Sequence, residues 1–243
     1  MPGTPSKRSP AQPALVSRQQ ETSMLSPLHA RDDSYAERRA ALVNKMIARG
    51  LIPESLIELP VLFGHIDLFG HVTGPKWFEF AHTCVDRLGS HIYPPVLGEA
   101  GVRGLLTGRG PITVLPLSIN ARFRLPVGWP DAVLLGGRPA YIDPQGKTYG
   151  ETYEAFSLKT GELAFIADYH HVHIDLTQGG KAVSFPDLIK QEPKWDAWVR
   201  DWQQKVASGK QKLKAFQEEE KKATGQAARN AEVEQLKHLG AKL

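Results

Sequence analysis

The stretch from Pro75 to Asp175 limits the fold more than any other: one long amphipathic helix, then four strands with no helix between them. Over 75–92, Trp77, Ala81, Cys84, Val85, Leu88 and Ile92 recur at helical spacing and form one broad apolar face. Pro75 suits a first turn, where a missing N–H costs nothing. The clearest strand is 114–125, in which Leu115, Leu117, Ile119, Ala121, Phe123 and Leu125 alternate with Pro116, Ser118, Asn120, Arg122 and Arg124. A period of two predicts one buried face. Strands over 131–142, 148–158 and 163–175 follow, separated by turns at Asp143-Pro144-Gln145-Gly146 and Thr160-Gly161. Another strand, 57–66, precedes the helix, and a Gly- and Arg-rich loop is expected over 98–110. The class is α+β, and a helix this apolar must be wrapped by the sheet.

The flanks read differently. Residues 1–32, rich in Pro, Ser and Gln, are expected to be disordered. Residues 33–56 form a short helical lead-in, opened by a capping box from Ser34 to Glu37 and stopped by Gly50. The body spans 57–192, and 193–243 is a charged helical extension. Trp195, Trp198 and Trp202 share one face of that extension and are expected to dock on the body.

Net charge is +4 and the sequence pI about 9.1, which raises the question of nucleic acid. The excess is confined to the flanks: Lys and Arg outnumber Asp and Glu by 8 to 4 over 1–50 and by 11 to 7 over 193–243, whereas 51–192 holds 11 against 15. A slightly acidic body without a basic, aromatic-interleaved stripe argues against a nucleic-acid partner. No run of 18 apolar residues exists, so no spanning helix is expected, and the first 20 residues lack the apolar core of a signal peptide. Cys84 is the single cysteine, which excludes an internal disulfide; on the apolar side of a helix it reads as a packed, inert thiol.

The chemistry is concentrated in Phe63-Gly64-His65-Ile66-Asp67-Leu68-Phe69-Gly70-His71-Val72-Thr73-Gly74-Pro75. A carboxylate follows a strand, a glycine turn comes next, and then a helix begins. Backbone N–H groups at a helix start lack partners and carry partial positive charge, so they can polarise a carbonyl and hold an oxyanion. A carboxylate converging on that spot suits acyl transfer to water.

This run resembles the 4-hydroxybenzoyl-CoA thioesterase family of hotdog proteins, whose signature is roughly D-x-D-x-x-G-H-V-N-N before the central helix; Asp67, Gly70, His71 and Val72 match it. Ala121-Arg122-Phe123-Arg124-Leu125-Pro126-Val127-Gly128 is similar to the family's strand ending in R-x-P-x-x-G-D, and Val172 to Pro186 to its last strand and exit. The resemblance covers about 57–190 and implies a hotdog fold, an antiparallel sheet wrapped around a central long helix, here with helical N- and C-terminal extensions. It implies hydrolysis of an acyl-CoA or related thioester without a cofactor or metal, in a homodimer or larger homo-oligomer. Asp67 then stands as general base or nucleophile, the Gly74 N–H as the carbonyl-polarising donor, and His71 as a residue that shapes the turn. Two departures stand out: His65 where many members have a first Asp, and Thr73-Gly74 where many have Asn-Asn. An imidazolium at His65 would favour the Asp67 carboxylate.

Several other residues carry weaker signals. Glu79 is a second carboxylate candidate, although a solvated helix residue is the plainer reading. Arg103 and Arg109 could meet the phosphates of CoA or simply line a solvated loop. His171 and His173 share a strand face but lack an evident third metal ligand, and are expected with His170 at the surface or an interface. Within the fold, a hydratase pattern D-x-N-P-x-H is disfavoured, because Asn-Pro is missing and His71 stands four positions after Asp67 rather than five. The alternative from another class is a non-catalytic acyl-binding or assembly protein.

The ending Ala241-Lys242-Leu243 resembles the small-basic-leucine variants of the peroxisomal address. Peroxisomal location is therefore expected, with cytoplasm or mitochondrion as alternatives. A fluorescent protein fused to the N-terminus should give puncta that coincide with a peroxisomal marker, and deleting Ala241 to Leu243 should release it to the cytosol; puncta that survive the deletion refute the expectation.

Overall fold

In the computed structural model, residues 34–240 are described, with side chains through Gly225; the segment expected to be disordered and the Ala-Lys-Leu ending lie outside the described residues. The elements are α1 (Tyr35–Ala48), β1 (Ile57–Val61), α2 (Gly74–Ile92), α3 (Pro94–Leu106), β2 (Ile112–Phe123), β3 (Asp131–Ile142), β4 (Thr148–Ser157), β5 (Leu163–Asp175), β6 (Lys181–Ala182), α4 (Phe185–Gln191) and α5 (Lys194–Gly240). The sheet order is β1-β3-β4-β5-β2, antiparallel throughout, with β6 pairing β5. The sheet curls over α2, which is the hotdog arrangement.

Alternation divides the sheet into two faces. On the inner face α2 buries Trp77, Phe80, Ala81, Cys84, Leu88 and Ile92, each large apolar side chain contributing about 1.5–3 kcal/mol. Trp77 stacks on Phe165 of β5, with centroids 5.1 Å apart and planes 11° from parallel. Cys84 is buried, its Sγ donates to the Ser55 carbonyl, and burial pushes its pKa far up, so it is inert as expected. On the outer face, Ala132, Leu134, Phe156 and Leu158 form a second core with Leu42, Met46 and Leu51 from α1 and the turn after it. Here Arg49 and Arg138 flank the buried Glu154, with Nε–Oε2 at 2.7 Å and Nη1–Oε1 at 2.9 Å. That contact pins the N-terminal helix to β3 and β4.

The C-terminal extension docks as its tryptophans predict. Trp198 stacks on Tyr93 and lies over Phe185, and Trp202 Nε1 donates to the Tyr141 carbonyl at 3.0 Å. Further along α5, Gly209 meets Gly50: a Cβ added at Gly50 would sit 2.7 Å from the Gly209 carbonyl oxygen. Beyond Phe216 the described side chains of α5 are exposed.

Five expectations need correction. β1 ends at Val61, and a 3-10 turn over Phe63–His65 replaces the rest of the expected strand. The expected loop over 98–110 is largely helix: Pro94 starts α3, and Gly98, at φ 65°, takes up a kink inside it. The capping box at Ser34 does not form; the Ser34 hydroxyl instead receives a hydrogen bond from Arg38. The alternating apolar face of β2 is not covered by the described residues, for Leu115, Leu117, Ile119 and Phe123 are all exposed.

The fifth correction concerns the histidines. His171 and His173 are buried, 3 % and 0 % exposed, and stand in a column of parallel rings, Tyr169, His171, Tyr149 and His173. Both have the parity of Phe165, Ala167 and Tyr169, so they face inward. Glu151 Oε2 lies 3.2 Å from His171 Nε2 and accepts from the Tyr153 hydroxyl. His170, on the other face, pairs with the Tyr141 hydroxyl at 3.0 Å.

Burial first, and the neighbouring His171 second, hold the His173 pKa down to about 3, against 6.5 for a free histidine. Between those values the unfolded chain takes up a proton that the native chain refuses. Stability is therefore whole above about pH 6.5 and falls as the pH drops toward 3. His173→Leu removes this titration. Thermal unfolding followed from pH 7 to pH 4 should fall less steeply in the variant, and equal slopes would contradict the account.

Candidate active site

The segment from Leu62 to Gly74 is a hairpin followed directly by α2. Ile66 and Val72 bridge, Asp67 N donates to the His71 carbonyl at 2.9 Å, and Gly70 N donates to the Asp67 carbonyl at 3.0 Å. The Asp67 carboxylate closes the tip: Oδ1 accepts from Phe69 N at 2.8 Å and from His71 N at 3.1 Å. This is an Asx-type turn, favoured because a short carboxylate can stand in for a backbone acceptor. Oδ2 is not used by the hairpin. His71 contributes to the hairpin through its backbone in both directions.

Thr73 caps α2, its hydroxyl accepting from Lys76 N at 3.4 Å, while its carbonyl accepts from Trp77 N at 3.1 Å. Pro75 has no N–H. The Gly74 N–H is thus the donor at this helix start that no acceptor engages among the described residues. The Phe123 ring lies beside it, 4.0 Å from where a Gly74 Cβ would stand. Phe78, one turn along α2, and Phe123 both lean on Phe165. The helix start and the aromatic wall place a free backbone N–H beside an apolar surface, and the Asp67 carboxylate stands on the hairpin that leads into it.

The hairpin is clamped from outside by the segment after β2. Val72 N donates to the Val127 carbonyl at 2.7 Å, and Phe63 meets Trp129 edge to face at 6.2 Å. Gly70 has φ +79°, and a Cβ at Gly128 would fall 2.4 Å from the Gly70 carbonyl oxygen. Only a glycine at 128 permits that approach, which gives a physical reason for the glycine in the motif after β2. Large apolar side chains surround the tip in full view of solvent, among them Phe63, Leu68, Phe69 and Trp129.

His65 is not the cation that its position invites. Partial burial and then the Lys76 charge lower its pKa, and Glu79 offsets this only in part. At neutral pH it is an imidazole whose Nδ1 accepts from Leu62 N at 3.0 Å. Glu79 is exposed and paired with Lys76, the plainer of its two readings. Arg103 and Arg109 are not brought to the hairpin within one chain. They lie by the start of β2, where Thr113 Oγ1 donates to the Leu105 carbonyl at 2.8 Å, and roughly 36 Å of strand separates them from Phe123. The sequence marks His65 as a departure from the signature but not as an acceptor for Leu62 N, and Gly128 leaves a trace in its motif but not the contact it makes.

No family model matches the chain, and no curated protein matches it. Among solved structures the chain is similar to a DHNA-CoA thioesterase from Staphylococcus aureus, at 16% identity and a TM-score of 0.49 over 63% of this chain and 93% of that one. It is also similar to the YbaW probable thioesterase from Escherichia coli, at 16% identity and a TM-score of 0.45 over 58% and 96%. A 1,4-dihydroxy-2-naphthoyl-CoA thioesterase from Synechocystis gives 18% identity and a TM-score of 0.44 over 60% and 95%. The fold rests on the chain's own strand order and register, and these scores add no argument about its activity. Among the described residues no group of His, Cys, Asp and Glu could hold a metal, and no helix is long and apolar enough to cross a membrane.

Replacing Gly128 with Ala drives a methyl into the Gly70 carbonyl, an overpacking that costs about 1–3 kcal/mol. The expected outcome is a folded protein whose hairpin amides, from Asp67 to Val72, shift strongly in two-dimensional NMR spectra while those of β3 and β4 stay in place. An unmoved hairpin would show that the clamp at Gly128 does not set its position.

Proposed function

We propose that the chain hydrolyses an acyl-CoA or related acyl thioester to the free acid and thiol. The observation that carries this reading is the single hairpin that presents Asp67 at its tip and delivers the unpaired Gly74 N–H at the start of α2. The substrate carbonyl oxygen accepts from Gly74 N–H, where the helix dipole favours developing negative charge. Asp67 Oδ2 acts at the carbonyl carbon, either by taking a proton from an attacking water or by attacking directly to form an anhydride that water then opens. The thiolate leaves and takes up a proton.

The same reading makes the protein a homodimer. β2 is a sheet edge with a free hydrogen-bonding row and an uncovered apolar face (Leu115, Leu117, Ile119, Phe123), a combination that invites pairing with a second chain. Two β2 strands pairing antiparallel set the start of one against the end of the other. The partner chain would then bring Arg103 and Arg109 toward the Asp67 hairpin, where a phosphorylated carrier such as CoA needs cations. A non-catalytic acyl-binding protein is the second reading, since Asp67 Oδ1 already serves the hairpin.

Asp67→Asn separates the two readings, because Asn Oδ1 still accepts from Phe69 N and His71 N and so preserves the turn. The wild type should release thiol from at least one member of an acyl-CoA panel, and the variant should lose about 10²–10⁴-fold in rate with an unchanged melting temperature. Light scattering at micromolar concentration should report a dimer. A wild-type rate in the variant removes Asp67 from the chemistry; no hydrolysis of any thioester by the wild type favours the binding protein.

A further inference from the structure

His65 is the one polar side chain between β1 and the hairpin whose bonding reaches both ways. Its Nδ1 accepts from Leu62 N at 3.0 Å while its own N–H donates to the Leu62 carbonyl at 2.9 Å, a reciprocal pair that closes the 3-10 turn. Its carbonyl accepts from Thr73 N at 3.0 Å, so the residue also holds the N-cap of α2. The ring stands edge-on to Phe80 of α2, 5.5 Å between centroids and 77° between planes. One residue therefore joins the turn that ends β1, the second arm of the hairpin and the first turns of the central helix. Those are the parts whose relative placement fixes Gly74 N–H against Asp67.

We propose that His65 is the positioning residue of this site, and that it works only while Nδ1 keeps its lone pair, so that acid releases the hairpin from β1. An acceptor at Nδ1 requires the ring proton to sit on Nε2. Protonation makes both nitrogens donors, and Leu62 N–H then faces another N–H. The charged groups that act on the ring are Lys76 and Glu79 on α2, which pair with each other. Partial burial and the Lys76 charge oppose protonation. The staple is therefore in place through the neutral range and opens only below the usual histidine range. A first-position carboxylate, common in the resembled signature, would stay acceptor-only to much lower pH; the imidazole makes this site acid-sensitive where a carboxylate would not.

Two measurements test this, and only the second rests on the hydrolase reading above. In NMR spectra the His65 ring should be the Nε2–H tautomer at pH 7, and the Leu62 and Thr73 amide signals should move along the His65 titration curve. In His65→Asn, whose Oδ1 accepts without titrating, those amides should stay still over the same range. Titration of His65 without movement at Leu62 and Thr73 would overturn the proposal, whether or not any thioester is hydrolysed. In kinetics at neutral pH, His65→Ala should lower kcat about tenfold, the scale of one hydrogen bond, with KM little changed. His65→Asn should recover most of that loss and move the acid limb of kcat to lower pH. A wild-type kcat in His65→Ala, or an unchanged acid limb in His65→Asn, would equally refute it. Should His65→Ala fail to fold, the wild-type and His65→Asn titrations decide the matter alone.

Discussion

Phe165 holds the interior and the candidate site in one piece. Trp77 stacks on its face, Phe78 meets it at right angles, and Phe123 leans against it at 5.4 Å. The first two come from the opening turns of α2 and the third from the end of β2, so one ring on β5 fixes where the central helix begins relative to the sheet edge. Gly74 stands at that beginning, and its N–H is placed by core packing rather than by any loop of its own. The hairpin before it is then tied from two sides, by His65 to the turn after β1 and by Gly128 to the segment after β2. Placing donors on packed elements costs no reorganisation when charge develops.

Much of this was legible in the periodicities. A 3.6-residue period over α2, a two-residue period over β2 and the Gly-containing turns between the strands that follow pointed to the elements, their order and the antiparallel sheet. What periodicity cannot report is what lies opposite a face. The alternation in β2 is real, yet Leu115, Leu117 and Ile119 stay exposed among the described residues. Glycine content misled at α3, where Val96 is buried before the kink at Gly98 and Val102 and Leu105, three residues apart, are buried after it despite Gly101 and Gly104. For His171 and His173 the inward direction could have been read from the parity of Ala167 and Tyr169. At the site, Asp67 and His71 on the hairpin and Gly74 at the helix start are contiguous in sequence, whereas the contact between Gly70 and Gly128 joins two segments far apart in sequence, which no local pattern reports.

The inner core is unusually polar for a space between a sheet and its helix. Glu151, His171 and His173 are all at least 95% buried among four tyrosines, and His171 Nδ1 and His173 Nδ1 have no hydrogen-bond partner among the described residues. Groups left this way each cost stability. Ring stacking and the three tryptophans of α5 offset part of that cost, because large aromatic surfaces leave water at the same place. The extension is thus part of the core that the polar cluster depends on.

The contact between Gly50 and Gly209 carries a consequence for the order in which the molecule is made. Both glycines lie outside the sheet and its helix, one just after α1 and the other midway along α5, and their backbones touch over Arg138 and Glu154. During synthesis the sheet is complete before α5 emerges, so for that interval the outer face waits with α1 lacking its neighbour and Tyr149 and His173 lacking their lid. Closure comes with the last helix. A nascent chain that has emerged as far as β6 but not yet α5 would hold a sheet of the right topology that is still open at one end, and a fragment cut at 57 and 192 would lack that closing helix altogether.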